Sequence, residues 1–184
     1  LREAAKGSLE GSVALGLDLR GAALAGAKLA GVLLIRVRLE GADLAGADLS
    51  QCLFAQTDLS RANLARTSLV QATLDGAKML HTVLDEARLS GASLRGADLS
   101  DARLRRAVLT ETRFAGAILR RADFEGARQE RASFERADLS GAANLPGDLR
   151  ECDFTGALLA GADLSRRSLN WANLERADLT GANL

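Results

Sequence analysis

Ala42-Asp43-Leu44-Ala45-Gly46-Ala47-Asp48-Leu49-Ser50 carries the triplet Ala-Asp-Leu twice at a spacing of five. Outward from it, every fifth residue from Leu19 to Leu184 forms a column of 34 positions, of which 32 are Leu, Phe or Met. All five Phe (Phe54, Phe114, Phe124, Phe134, Phe154) and the single Met79 sit in it, and only Gln129 and Asn144 break it. Two residues earlier runs a column of small residues, mostly Ala, which also holds Thr57, Thr67, Thr82, Thr112, Cys52 and Cys152. A period of five suits neither regular element. On an α-helix five residues advance about 500°, which smears the Leu around the barrel. On a flat strand an odd step alternates faces and sends half of them into water. The chain must turn once per repeat so that every Leu meets one axis. That describes a solenoid.

Charge spacing supports a coil of four repeats. At a spacing of 20, Asp18, Arg38, Asp58, Lys78 and Asp98 stack with alternating sign, Arg20 lies over Glu40, and Arg105 falls between Asp85 and Glu125. Arg128, Glu130 and Arg131 meet Asp148, Arg150 and Glu151, inverted at each position. Facing opposite charges contribute roughly 0.2–1 kcal/mol each. Phe114, Phe134 and Phe154 are expected to stack as an aromatic ladder inside.

Ala42–Ser50 and Ala97-Asp98-Leu99-Ser100-Asp101 resemble the A(D/N)LXX signature of the pentapeptide-repeat family, over essentially residues 17–184. The resemblance implies an all-β fold, a right-handed quadrilateral (four-sided) β-helix, with the Leu or Phe and the small residue inward and the other three positions outward. At 20 residues per coil the expectation is about nine coils and a rod roughly 44 Å long. Residues 1–18 read as an irregular first coil or the remnant of an N-terminal cap, because Ala4 and Ala14 occupy the column and Leu17 replaces the small residue. Residues 19–184 read as the repeat domain, with a bulge or loop at 144–148, where Asn144-Leu145-Pro146-Gly147-Asp148 is a turn cluster. Arg167, at a small-residue position, marks local distortion. The start at Leu1 and the stop within a repeat at Leu184 suggest a fragment.

Composition excludes several classes of function. Basic and acidic residues number 24 each, so the net charge is zero. No apolar run approaches the roughly 20 residues of a membrane span, and no signal peptide is recognisable. Cys52 and Cys152 lie five coils apart, about 24 Å at strand spacing and beyond disulfide reach. Two buried free thiols fit a reducing compartment, so the cytoplasm is expected.

No catalytic, cofactor or metal constellation stands out. His81 is the only histidine, at an outward corner. The many Asp recur because the repeat places them before the Leu. The cysteines lack His ligands at metal spacing. Gln129 reads as a core side chain bonded to turn backbone, and Trp171 as an outward residue. Arg103, Arg105, Arg106, Arg113, Arg120 and Arg121 cluster in sequence, but stacking places acids beside them, so direct nucleic-acid binding is not expected.

Function then rests on surface. In coils of four repeats, Val13, Leu33 and Leu53 form one outward column and Leu15 and Ile35 the next, where other outward positions are mostly polar. That concentration is the candidate protein interface of a non-enzymatic interaction scaffold, with self-association a further expectation. Contact with a missing N-terminal cap, or inward packing if the register slips by one, explains the same five residues equally well. The resemblance offers alternatives. One is a DNA-mimicking, gyrase-protecting antibiotic-resistance protein, which needs columns of unpaired carboxylates. Another is the repeat portion of a secreted bacterial effector or its loading protein.

Overall fold

The structure is a computed structural model that describes residues 11–184; the expectations for residues 1–10, Ala4 included, lie outside the described residues. Three short strands, β1 (Val13–Leu15), β2 (Leu33–Ile35) and β3 (Leu53–Ala55), form a parallel sheet in the order β1-β2-β3. Val13 pairs with Leu33 and Leu33 with Leu53, a spacing of 20. Single parallel bridges carry the same spacing through the rest of the chain, from Asp18–Arg38 to Asp163–Asn183. Each coil therefore takes 20 residues and four repeats, and the repeats stack in four rows. Core positions run Ala14, Leu34, Phe54 in row 1; Leu19, Leu39, Leu59 in row 2; Leu24, Leu44, Leu64 in row 3; and Leu29, Leu49, Leu69 in row 4. No helix occurs among the described residues.

Each position of the repeat has a physical task. The core residue is buried, as Leu64, Leu84, Leu99 and Leu104 show at 0 % exposure, and so is the small residue two before it. Ala fills most of these positions, and Val32 and Val37 are buried there as well. Where Thr replaces Ala, its hydroxyl finds a carbonyl, as Thr112 does at Leu89 (3.0 Å) and Thr82 at Met79 (2.7 Å). The backbone is satisfied coil against coil: the Leu44 N–H donates to Asn63 C=O (2.8 Å) and the Asp43 N–H to Ala22 C=O (2.9 Å). Within the coil, the Ala47 N–H closes its corner on Leu44 C=O (3.0 Å). The Asp or Asn before the Leu accepts from the N–H two residues on, as Asp48 does from Ser50 (3.1 Å) and Asn63 from Ala65 (3.1 Å). This side-chain turn is why the repeat favours Asp and Asn there.

The corner demands a left-handed residue. Every fifth residue from Gly11 to Gly181 has positive φ, with the single exception of Pro146. Many are not glycine; Arg66 holds φ 59° and Gln51 φ 59°. Proline cannot follow them, since its ring fixes φ near −65°. The turn is rebuilt two residues earlier, with Asn144 taking φ 54°. Asn144 is consequently exposed, Leu145 is buried in its stead at 3 % exposure, and the register is recovered at Leu149, 0 % exposed. Arg167 is half-buried, its Nε without a partner and its Nη1 donating to Ser165 C=O (3.3 Å).

The rings of Phe114 and Phe134 stack at 5.2 Å and those of Phe134 and Phe154 at 5.1 Å. The ladder expected from their spacing is present.

Candidate protein-interaction face

Row 1 of the first three coils is the only part of the described chain where pairing extends to three-residue strands. Its residues are Val-Ala-Leu, Leu-Leu-Ile and Leu-Phe-Ala. Bulky and β-branched side chains fit a pleated, half-buried surface. The middle residue of each strand, Ala14, Leu34 and Phe54, points into the core. The flanking residues therefore point out. Val13 and Leu15 are 60 % and 62 % exposed and Leu53 37 %, while Leu33 and Ile35 are half-buried by their neighbours above and below. The pairing register sets Val13, Leu33 and Leu53 in one file and Leu15, Ile35 and Ala55 in the next. The structure thus brings all five residues singled out from sequence onto one surface.

The surface has defined edges. The file below Leu53 continues as Thr73, Ser93 and Arg113, and is polar from there on. Arg36 stands at the corner, its Nε donating to Gln56 Oε1 (3.1 Å). Beyond that corner lie Leu17, 39 % exposed, and Asp18, which is held by Arg20 and Arg38 at 2.7 Å each. Those guanidiniums, Arg20 first, lower the Asp18 carboxyl to about 2. Leu17 belongs to an inward file, since Val37 and Thr57 stacked on it are buried, and it is exposed in the first described coil.

The remaining candidates for chemistry are dispersed. His81 stands at an exposed corner with Nδ1 4.0 Å from Asp101 Oδ2, and Asp101 is already engaged by Arg121 at 2.6 Å. Arg121, ahead of His81, holds the Asp101 carboxyl below the usual range. Trp171 is 88 % exposed. Burial pushes the thiol of Cys52 up to about 11 and that of Cys152 up to about 12. Their S–H groups donate to Leu29 C=O (2.9 Å) and Gln129 Oε1 (3.0 Å). Among the described residues no group of three His, Cys, Asp or Glu is placed to hold a metal ion. No described helix is long and apolar enough to cross a membrane.

The charge pattern differs from simple vertical stacking. Arg105 reaches diagonally to Asp123 (2.7 Å) and Arg120 to Asp138 (2.5 Å), 18 residues away, and Arg103 reaches Asp85 in the same way. Arg20 turns to Asp18 within its own repeat and not to Glu40, and Arg150 likewise pairs with Asp148 (2.6 Å). Vertical pairs survive at Arg38–Asp18 (2.7 Å), Arg121–Asp101 (2.6 Å) and Arg131–Glu111 (2.9 Å). At Asp18, Asp123, Asp138 and Asp148 the guanidinium reaches a carboxylate already fixed by its own turn, so there the Asp decides the geometry.

The model of the family described as pentapeptide repeats matches in eight copies, covering residues 18–56, 42–79, 52–91, 87–126, 117–145 and 148–184. The chain is a pentapeptide-repeat protein. Among solved structures, HetL from the cyanobacterium Nostoc sp. strain PCC 7120, a pentapeptide-repeat protein involved in heterocyst differentiation regulation, is 33 % identical. That match covers 98 % of this chain and 93 % of HetL, with a TM-score of 0.50. A trypsin-treated form of QnrB1, a plasmid-mediated fluoroquinolone resistance protein, is 20 % identical over 91 % of this chain and 92 % of its own, with a TM-score of 0.47. A pentapeptide-repeat protein of the Arabidopsis thaliana thylakoid lumen is 23 % identical over 57 % of this chain and 66 % of its own, with a TM-score of 0.36. A search of curated proteins finds no match.

Proposed function

We propose that this pentapeptide-repeat protein is a non-enzymatic, right-handed, four-sided rod of about nine coils that docks a protein partner on the outward surface of β1–β3. The observation that carries this reading is the gathering of Val13, Leu15, Leu33, Ile35 and Leu53 on one flat, three-stranded surface. Apolar side chains concentrated on one patch, bordered by polar files, are the mark of an interaction site. The dispersal of His81, the buried thiols and the carboxylates supports a binding role over a catalytic one. Free buried thiols support a reducing compartment such as the cytoplasm.

The DNA-mimic reading ranks second. It needs a file of uncompensated carboxylates, whereas Asp85, Asp101, Asp123 and Asp138 each hold an arginine. The likeness to QnrB1 speaks for fold alone. Gyrase supercoiling assays with added protein should show neither inhibition nor protection from drug.

The direct test is Leu33→Glu combined with Leu53→Glu. Both side chains point outward, so circular dichroism and thermal melting should stay close to the parent. Self-association in sedimentation, or retention of a binding protein, should be lost. An unfolded double variant would assign the residues to the core or a cap. A folded variant that keeps every association would place the binding surface elsewhere.

A further inference from the structure

The 20-residue ladder of parallel bridges is continuous from Val13 to Asn183 except at two links among the described residues, 128–148 and 143–163. Both belong to the seam between the turn 128–143 and the turn 148–163. Along that one seam, row 4 is open at 128–148 and row 3 is open at 143–163. Row 1 stays closed at Ser133–Asp153 and row 2 at Asp138–Leu158. The closed side is well bonded: the Phe134 N–H donates to Asp153 C=O (2.7 Å), the Leu139 N–H to Leu158 C=O (2.9 Å), and the rings of Phe134 and Phe154 stack at 5.1 Å.

On the open side a cleft of about 440 Å³ is lined by Gln129, Glu130, Asp148, Arg150 and Glu151. The Gln129 amide spans it by donating to Asp148 C=O, a side chain where other coils use backbone. The segment joining the two turns contains Pro146, the one corner that cannot take the left-handed conformation. A stack that is bonded along two adjacent rows and open along the other two can bend only about the bonded edge.

We propose that the rod is hinged at this seam, the turns beyond Asp148 swinging about the Phe134–Phe154 stack and the cleft between Gln129 and Asp148 opening and closing. In an uninterrupted solenoid, neighbouring coils are coupled equally at every seam and only the ends fray. A seam with half its links divides the rod into two cooperative units, 11–143 and 148–184.

Native-state hydrogen exchange on the full chain tests this. The amides of Phe154, Leu159 and Leu164 should exchange together, at least tenfold less protected than those of Leu104, Leu119 and Phe124, with the step at 143–148. A decline in protection that is smooth from turn to turn, as end fraying gives, would overturn the hinge. The step should vanish when Asn144→Leu, Leu145→Ser and Pro146→Gly restore a regular repeat and Gln129→Leu restores the core column. A step that persists in the folded repaired chain would equally overturn it. Should the repaired chain fail to fold, the wild-type profile decides on its own.

Discussion

The side-chain amide of Gln129 donates to the backbone carbonyl of Asp148, nineteen residues on, at the place where other coils use a backbone N–H. One coil earlier the equivalent bond runs from the Leu109 N–H to Arg128 C=O at 2.7 Å. The same amide oxygen accepts from the Ala132 N–H (3.2 Å) and the Cys152 S–H (3.0 Å). One polar side chain in the core thus satisfies three groups around the rebuilt turn of Pro146. Gln129→Ala strands all three and leaves a void, so we expect a loss of about 2–4 kcal/mol, part of it recovered by water entering the cleft. Gln129→Leu refills the core and should cost about half as much. Urea unfolding midpoints at constant slope measure both.

The core was legible because a five-residue period has one structural solution, and Leu99, Phe134 and Leu164 lie where that period places them. The aromatic ladder followed from the same spacing. Side-chain reach was not legible. Spacing sets Arg105 between Asp85 and Glu125, and it does meet both, its backbone N–H donating to Asp85 (3.3 Å) and its guanidinium lying 3.5 Å from Glu125. Its shorter ion pair, at 2.7 Å, is the diagonal one to Asp123. Pro146 signalled an irregular turn. That Leu145 would turn inward and Asn144 outward depends on where the left-handed residue can relocate, which composition alone does not state. Gln129 and Asp148 each looked like a local oddity, and only coil-to-coil register joins them. The 20-residue spacing places the five apolar residues on one face, as the strand register has them.

Arg66 holds φ 59° at a corner and makes no ion pair among the described residues. A left-handed conformation costs a residue with a Cβ about 1–2 kcal/mol. Glycine removes that cost but adds about 0.5–1 kcal/mol of unfolded-chain entropy. Arg66→Gly should therefore stabilise by about 0–1.5 kcal/mol, read as a rise in thermal midpoint. Gly46→Val, which forces a β-branched residue into φ 66°, should move the midpoint the other way by more.

Asp138 separates the turn from the ion pair. Its Oδ1 accepts from the Ser140 N–H (3.0 Å), and its Oδ2 pairs with Arg120 (2.5 Å), whose side chain is largely exposed. Burial opposes ionisation of this carboxyl, yet Ser140 and Arg120 together hold it below the usual range. Asp138→Asn keeps the turn acceptor and loses the charge, so it should cost about 0–1 kcal/mol, less in high salt. Asp138→Ala loses both and should cost about 1–2 kcal/mol with little salt dependence in the difference. Equal losses from the two variants would mean that the ion pair, and not the turn, selects Asp in the repeat.

Stability should fall at both ends of the pH scale, for different groups. Asp18, Asp101, Asp123 and Asp148 all have lowered carboxyl values in the fold, Asp18 to about 2. The unfolded chain then binds protons more readily, so their contribution is complete above the unfolded value of 3.8 and is lost as pH drops toward about 2. On the alkaline side the sign reverses. Burial raises the Cys52 and Cys152 thiols from 9.0 to about 11 and about 12, so the unfolded chain gives up those protons first. The contribution of the neutral thiols is complete below pH 9 and is lost as pH climbs through 11 to 12. Urea midpoints should be flat from about pH 5 to 8 and decline on both sides. Cys52→Ala with Cys152→Ala should flatten the alkaline decline while leaving the acid limb unchanged. An alkaline decline of equal slope in that double variant would show that the thiols are not its source.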